Sequence, residues 1–363
     1  MSQAHPPLWK IRRELKRFPS SLGSKLRASF GPLHRLRHDL TAHRTVRVTQ
    51  GDRPATAEPV VLLIYQPKAL LSSLFLTLEH LVDNGLSVVL VANHPLDEEK
   101  MAALRPWCHK LIERPNIGYD FGGYREGVLH VLDTMPDAER LFVMNDSNWF
   151  PVRPGCTLID QSRTAPENVY GIYRGSARGR PEDLHIQSYF YRFDRTIFRD
   201  PEFRRFWKAM PLIAEKRLVV RYREVGLTRH FREAGFTIGS LHDRDDVLAA
   251  LMNLPDEELM EEIRFHISID FFRKHRDIEA RLRADLPELV KNREELAQLL
   301  DRGNCSFNYL AHYPAMLFTT LDSPIVKKNR DPEFAAMRRA IAASPLNAQL
   351  YPEVRSELAA WDA

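Results

Sequence analysis

The chain has 363 residues, 44% hydrophobic and 28% charged, with a formal net charge of +4 at pH 7. That length and apolar content suit one large α/β domain with appendages or two modest ones, and they exclude a globally disordered chain. Three widely spaced cysteines, Cys108, Cys156 and Cys305, make no CxxC pair and no even framework, which excludes a disulfide scaffold and suits a reducing compartment.

Residues 1–50 carry eleven Lys and Arg against Glu14 and Asp39, a local charge of +9 that leaves the other 313 residues at −5. The helical spacing of Trp9, Leu15 and Phe18 among arginines suits a helix lying on an anionic membrane. The competing reading is a solvated basic helix packed on its own body. Nucleic acid is not the expected partner, because aromatic residues for stacking are scarce there. No apolar run approaches the roughly 20 residues that span a bilayer, and the start lacks the apolar stretch of a secretory signal. The expectation is a cytoplasmic protein, soluble or peripheral on the inner face of the plasma membrane. Residues 51–58, GDRPATAE, read as a linker.

The core opens with a buried-strand run over 60–65, VVLLIY. A helix is predicted over 69–83, ending at Asn84-Gly85. Strand 86–92, helix 97–104, strand 109–113, helix 124–132 and strand 140–144 follow. Strand alternating with helix predicts right-handed crossovers and a mostly parallel sheet. Ligands then bind beyond the strand carboxyl ends, at 66–68, 93–94, 116–123 and 145–150. Further on, strands are predicted at 169–173 and 185–193, and helices at 201–210 and 224–234. The span 256–302 reads as charged amphipathic helix with Leu282, Leu286, Leu289, Leu296 and Leu299 on its inner face.

Four segments can carry chemistry. In NIGYDFGGY, 116–124, three glycines let the backbone approach a ligand closely. The helix start after them offers free N–H groups, and Asp120 can hydrogen-bond a base or ribose hydroxyl. A tight turn that merely needs glycine would look the same. In VMNDSNW, 143–149, Asp146 stands at a strand end, flanked by Asn145, Ser147 and Asn148. It can hold a divalent cation, Mg or Mn, through oxygen ligands; it can also cap a turn, or contact a ligand without metal. In REVGLT, 223–228, Glu224 is either a general base or a carboxylate favoured by a helix dipole. In the segment 304–329, Lys327 and Lys328 suit phosphate contact or plain exposure, and His312 reads as structural more readily than as a metal ligand. Phosphate-loop, dinucleotide-fingerprint and nucleophile-elbow motifs are missing from the sequence.

Taken in order, VVLVANHP, NIGYDFGGY, FVMNDSNWFP, HIQSYFYRFDRTIF, REVGLTRHFREAGF and NCSFNYLAHYPAMLF with SPIVKKN make the chain resemble the rhamnan synthesis protein F family, over roughly residues 60 to 330. The resemblance implies a GT-A-like fold, the nucleotide-sugar-binding α/β type. It also implies transfer of a sugar, often rhamnose, from a nucleotide-sugar donor to a glycan or lipid-linked glycan acceptor during surface polysaccharide assembly. Asn116, Gly118, Asp120, Asn145, Ser147, Lys327 and Lys328 become donor-site candidates. Asp146 becomes the cation or diphosphate contact, and Glu224 the base of an inverting transfer. Gln187 and Ser188 would border the acceptor. The expected organisation is a basic arm and linker at 1–58, a GT-A-like domain at 59–250 and a helical region at 251–363 completing the site. Two alternatives remain at this point: a non-catalytic assembly partner that kept the fold, and a sugar nucleotidyltransferase.

Overall fold

Strands that are apolar at every position must be covered on both faces, and that requirement organises this molecule. The computed structural model describes residues 30–176, 183–213, 218, 223–269, 275–303, 310 and 313–362. Helix α1 (Gly31–Thr45) leads into β1 (Arg47–Gln50). The alternation expected from the sequence follows: β2 (Pro59–Ile64), α2 (Ser72–Asp83), β3 (Ser87–Ala92), α3 (Glu98–Leu104), β4 (Lys110–Glu113), α4 (Tyr119–Thr134) and β5 (Arg140–Asn145). All of β2 and β3 is buried. Because side chains alternate across a strand, Val60, Leu62 and Ile64 pack with Leu74, Leu78 and Leu81 of α2. Val61 and Leu63 pack with Phe121, Tyr124 and Val128 of α4 on the other face.

After β5 come β6 (Asn148–Trp149), α5 (Leu158–Thr164), β7 (Val169–Gly175), β8 (His185–Ile186) and β9 (Phe190–Asp194). Then follow α6 (Arg195–Arg199), α7 (Pro201–Ala209), α8 (Val225–Glu233) and β10 (Ile238–Asp243). The main sheet runs β1-β4-β3-β2-β5-β9-β7-β10, with β8 on β7. Its centre, β4-β3-β2-β5, is parallel; β1 and β9 enter antiparallel, and β10 pairs parallel with β7. The result is a mixed sheet flanked by helices.

The C-terminal part is helical, as expected: α9 (Arg244–Met252), α10 (Asp256–Ser268), α11 (Arg276–Lys291), α12 (Arg293–Gly303) and α13 (Met316–Thr319). A short strand β11 (Val326–Lys327) precedes α14 (Pro332–Ala343) and α15 (Pro352–Trp361). Leu282, Leu286, Leu289 and Leu296 are buried and Leu299 is partly so, in the same apolar cluster as α2. Among the described residues no helix is long and apolar enough to cross a membrane.

Three local differences have physical causes. Residues 47–50, read as part of the basic arm, add a strand to the sheet edge, where the side chains of Arg47 and Gln50 are exposed and the backbone pairs with β4. The span 185–193 is two strands rather than one, separated by the bend at Gln187–Tyr189. The helix expected from 124 begins at Tyr119, so Asp120, Gly122 and Gly123 are helical. Most of the arm, residues 1–29, lies outside the described residues.

Candidate active site

The parallel strands bring β2 and β5 side by side, so the residues just past their carboxyl ends meet. The Asp146 N–H donates to the Leu63 carbonyl at 3.0 Å, continuing the ladder by one residue. Its carboxylate accepts the Tyr65 N–H at 3.1 Å and the Gln66 amide at 2.9 Å. Gln66 is itself held: its N–H donates to His94 Nε2 at 3.1 Å and its Oε1 accepts the Leu71 N–H at 2.8 Å. The Asn145 amide donates to Asp120 Oδ2 at 3.1 Å, while Asn145 Oδ1 accepts the Ser147 N–H at 3.2 Å and hydroxyl at 2.6 Å. Asn145 therefore links the loop of Asp146 to Asp120 of another element. Asp120 lies in the first turn of α4, where the helix dipole favours a negative charge.

The glycines of 116–123 have a structural reason. Gly118 sits at φ 83°, the left-handed conformation that opens α4. A Cβ on Gly122 would stand 2.0 Å from the Ile117 carbonyl oxygen, and one on Gly123 would stand 2.4 Å from Leu63. Gly122 and Gly123 thus serve the approach of α4 to its own loop and to β2. Behind the loop, Arg114 donates to Asn93 Oδ1 at 2.5 Å and to the Ile117 carbonyl at 2.7 Å. Burial lowers the Arg114 pKa to about 10, against the opposing pull of Glu126. Asn116 stands exposed ahead of the turn.

Glu224 occupies the residue before α8, not its first turn, and makes no cap hydrogen bond to that helix. Its buried carboxylate instead accepts the Ser188 N–H at 2.5 Å. The Ser188 carbonyl accepts the Tyr124 hydroxyl at 2.7 Å, and Tyr124 lies one helical turn after Asp120. Burial raises the Tyr124 pKa well above its ordinary value, and the charges of Asp120, Tyr191, Glu224 and Asp146 push the same way. Glu224 thus reaches Tyr124 through Ser188, while Asp120, one turn before Tyr124, is bonded by Asn145, the chain neighbour of Asp146. Gln187 and Ser188 occupy the bend beside them, Gln187 within 3.3 Å of His185. Arg223 is partly buried with an unpartnered Nε, and burial lowers its pKa to about 10.

The paired lysines arrive on β11, which pairs antiparallel with β6 and sets Lys327 opposite Asn148. Lys327 Nζ donates to Ser147 Oγ at 3.0 Å and lies 4.6 Å from the Tyr189 ring centre. The Lys328 N–H donates to the Ser147 carbonyl at 2.9 Å, and its ammonium lies 5.4 Å from the Trp149 ring centre. Burial lowers the Lys328 pKa, while Asp146 and Glu357 act to raise it. Glu357, on α15, accepts Trp149 Nε1–H at 2.7 Å, the Ser73 N–H at 2.8 Å and the Ser73 hydroxyl at 2.6 Å. A narrow cleft opens among Gln66, Thr77, Asn145, Asp146, Asn148 and Lys328.

Sequence reasoning did not single out Tyr124, Tyr189, Trp149 or Glu357. Tyr124 had a signal, since it follows Asp120 at helical spacing; Glu357 had none nearby in the chain. The segment 304–309 and His312 lie outside the described residues. Among the described residues, no group of three or more His, Cys, Asp or Glu gathers to ligate a metal. Asp146, whose carboxylate lines the cleft, offers hard oxygen donors. That set fits a Mg or Mn ion completed by ligand phosphate and water, not a cage made by protein alone.

A family model described as "Rhamnan synthesis protein F" matches residues 88–261. The chain is 37% identical over 355 residues to uncharacterized protein y4gN of Sinorhizobium fredii, covering 97% of this chain and 92% of that protein. It is 29% identical over 139 residues to virulence protein VirA of Vibrio anguillarum, covering 37% of this chain and 43% of that one. Among solved structures, a mannosyltransferase from Pyrobaculum calidifontis in complex with GDP-Man and Mn2+ covers 93% of this chain and 89% of its own, at 13% identity. Its TM-score is 0.31, too loose a superposition to bear on the site.

Proposed function

Because this chain belongs to the rhamnan synthesis protein F family, we propose that it is a glycosyltransferase of cell-surface polysaccharide synthesis, of GT-A-like fold. It moves a sugar, rhamnose being the leading candidate, from a nucleotide-sugar donor to a polysaccharide or lipid-linked glycan. The observation that carries this reading is the hydrogen-bonded chain past the carboxyl ends of parallel strands, in which Asn145, next to Asp146, holds Asp120, and Tyr124 in the same helix is tied through Ser188 to Glu224.

Asp120 and Asn145 hold the nucleoside side of the donor. Lys327 and Lys328 meet its diphosphate, each stacked over an aromatic ring that limits where the ammonium can go. A Mg or Mn ion at Asp146 would neutralise charge on the leaving diphosphate. Glu224, fixed by the Ser188 N–H, takes the proton of the acceptor hydroxyl as that oxygen bonds to the anomeric carbon. The bond to the nucleoside diphosphate breaks in the same step, and the anomeric centre inverts. The acceptor lies beside Gln187 and Ser188, and the basic N-terminal region rests against the anionic inner face of the membrane.

A panel of nucleotide sugars screened by thermal shift, with and without manganese, tests the reading, since a ligand that binds only the folded state raises its melting midpoint. One donor is expected to stabilise the protein, and more so with manganese. No shift with any nucleotide sugar would overturn it. One observation favours a second reading, a non-catalytic assembly partner: a single carboxylate, Asp146, stands at this strand end, flanked by Asn145, Ser147 and Asn148. Donor binding without slow donor hydrolysis or transfer would select that alternative.

A further inference from the structure

Helix α1 turns its polar side inward and its leucines outward. His38 is 3% exposed and lies 2.7 Å from Glu126 of α4. Asp39 receives two hydrogen bonds from the Arg125 guanidinium of α4, at 2.7 and 2.9 Å. Arg35 donates to the Ala209 carbonyl at 2.8 Å, and the Gly31 carbonyl accepts the Leu212 N–H at 3.1 Å. Leu33, Leu36 and Leu40 are 57%, 51% and 67% exposed. At about 100° per residue these three share an arc of about 60°, on the side opposite His38. Phe30 at the helix start and Val48 on β1 are also exposed. Five of the six exposed large hydrophobics among the described residues thus belong to this one short stretch, the sixth being Tyr65.

A single exposed leucine means nothing, but a contiguous apolar stripe needs a partner. The stripe is edged by the exposed Arg37, Arg44 and Arg47, while Asp39 is engaged by Arg125. That charge selects among partners. Residues 1–29 carry seven Lys and Arg and one Glu, so they are repelled from this edge. A second copy would set the same arginines against each other. An anionic lipid surface offers both the apolar layer and the opposite charge.

We propose that the outer face of α1 is a membrane-insertion face, with Leu33, Leu36 and Leu40 entering the acyl boundary and Arg37, Arg44 and Arg47 meeting anionic headgroups. This deepens the membrane side of the reading above. It also adds a geometric consequence. α1 is pinned to α4, the helix whose first turn carries Asp120, by the Arg125–Asp39 ion pair and the His38–Glu126 hydrogen bond, so the bilayer contact and the donor wall share one support.

The test is flotation of the full chain with phosphatidylcholine vesicles that contain phosphatidylglycerol, beside pure phosphatidylcholine vesicles, at low and high salt. The wild type is expected to float with the anionic vesicles and to lose binding as salt rises. The triple variant Leu33→Gln, Leu36→Gln, Leu40→Gln is expected to lose vesicle affinity on the order of a hundredfold, with a melting midpoint little changed because more than half of each side chain faces solvent. A chain lacking residues 1–29 should keep the leucine-dependent part of binding. Equal flotation of wild type and triple variant would overturn the proposal, as would failure of the wild type to bind anionic vesicles. A wild-type dimer that the triple variant dissolves would overturn it as well, by placing a second copy on the stripe. The assay contains no donor or acceptor, so its failure and a failure of the transferase reading are told apart.

Discussion

The site has two walls built by different means. One, made by β2, β5 and the start of α4, consists of residues next to fully buried parallel strands. Asp146 continues a ladder bond, and Asp120 is a hydrogen bond away through Asn145. The other is carried in by β11 and α15, some 180 residues further along the chain, and is held by side-chain contacts: Lys327 on Ser147 and Tyr189, Lys328 over Trp149, Glu357 on Trp149 and Ser73. The strand-end wall has the rigidity of the sheet and suits groups whose position sets the chemistry. The late wall brings charge, which in the proposed reaction would grip the donor.

That division is sharpest at Asp146→Asn, which keeps an oxygen for the Tyr65 and Gln66 donors but removes the charge. Turnover, measured by sugar transfer, is expected to fall by about a thousandfold or more, the scale of losing a transition-state charge contact. Lys327→Ala should raise the donor KM by about ten- to a hundredfold with kcat little changed, as for loss of binding shared by ground and transition states. If kcat falls as far as in Asp146→Asn, the two walls are not functionally distinct.

Two changes probe what holds the late wall. Glu357→Gln replaces a charged acceptor of three hydrogen bonds and should cost about 1–3 kcal/mol in urea unfolding. No loss would mean that α15 is held by its apolar packing and by the Trp361 and Asp362 contacts without Glu357. Glu262 accepts the Ala315 and Met316 N–H groups of the turn leading toward β11, and burial raises its pKa to about 7, above the ordinary 4.5. The folded chain therefore holds this proton more tightly than the unfolded one. Its contribution to stability is full below about pH 4.5 and is lost as pH rises through about 7. Wild type should lose about 3 kcal/mol across that window relative to Glu262→Gln, read as the difference between two unfolding series.

The strand-end wall was legible in the sequence because unbroken apolar runs have one use, a buried parallel strand, and a polar residue ending such a run must lie at the crevice. Asp146 and the loop of Asp120 follow from that rule. The start of α4 was misread because the glycines at 122 and 123 resemble a loop, whereas they allow helix and strand to touch. β1 was hidden because an edge strand needs no buried apolar run, its register being set by backbone pairing with β4. Lys327 and Lys328 could be suspected from their pairing, but not placed. Glu357 left no trace, since nothing in PEVRSELAAW says that its acid meets an indole more than two hundred residues earlier. The inward polar face of α1 was equally silent, because nothing in GPLHRLRHDLTAHRT says that His38 and Asp39 meet Glu126 and Arg125 of α4.

The most direct test of the central claim is Glu224→Gln, which keeps an acceptor for the Ser188 N–H and removes only the basic oxygen pair. Donor binding and transfer should be measured on the same preparation. The account predicts donor affinity equal to wild type with transfer reduced by about a hundred- to ten-thousandfold; unchanged turnover would contradict it.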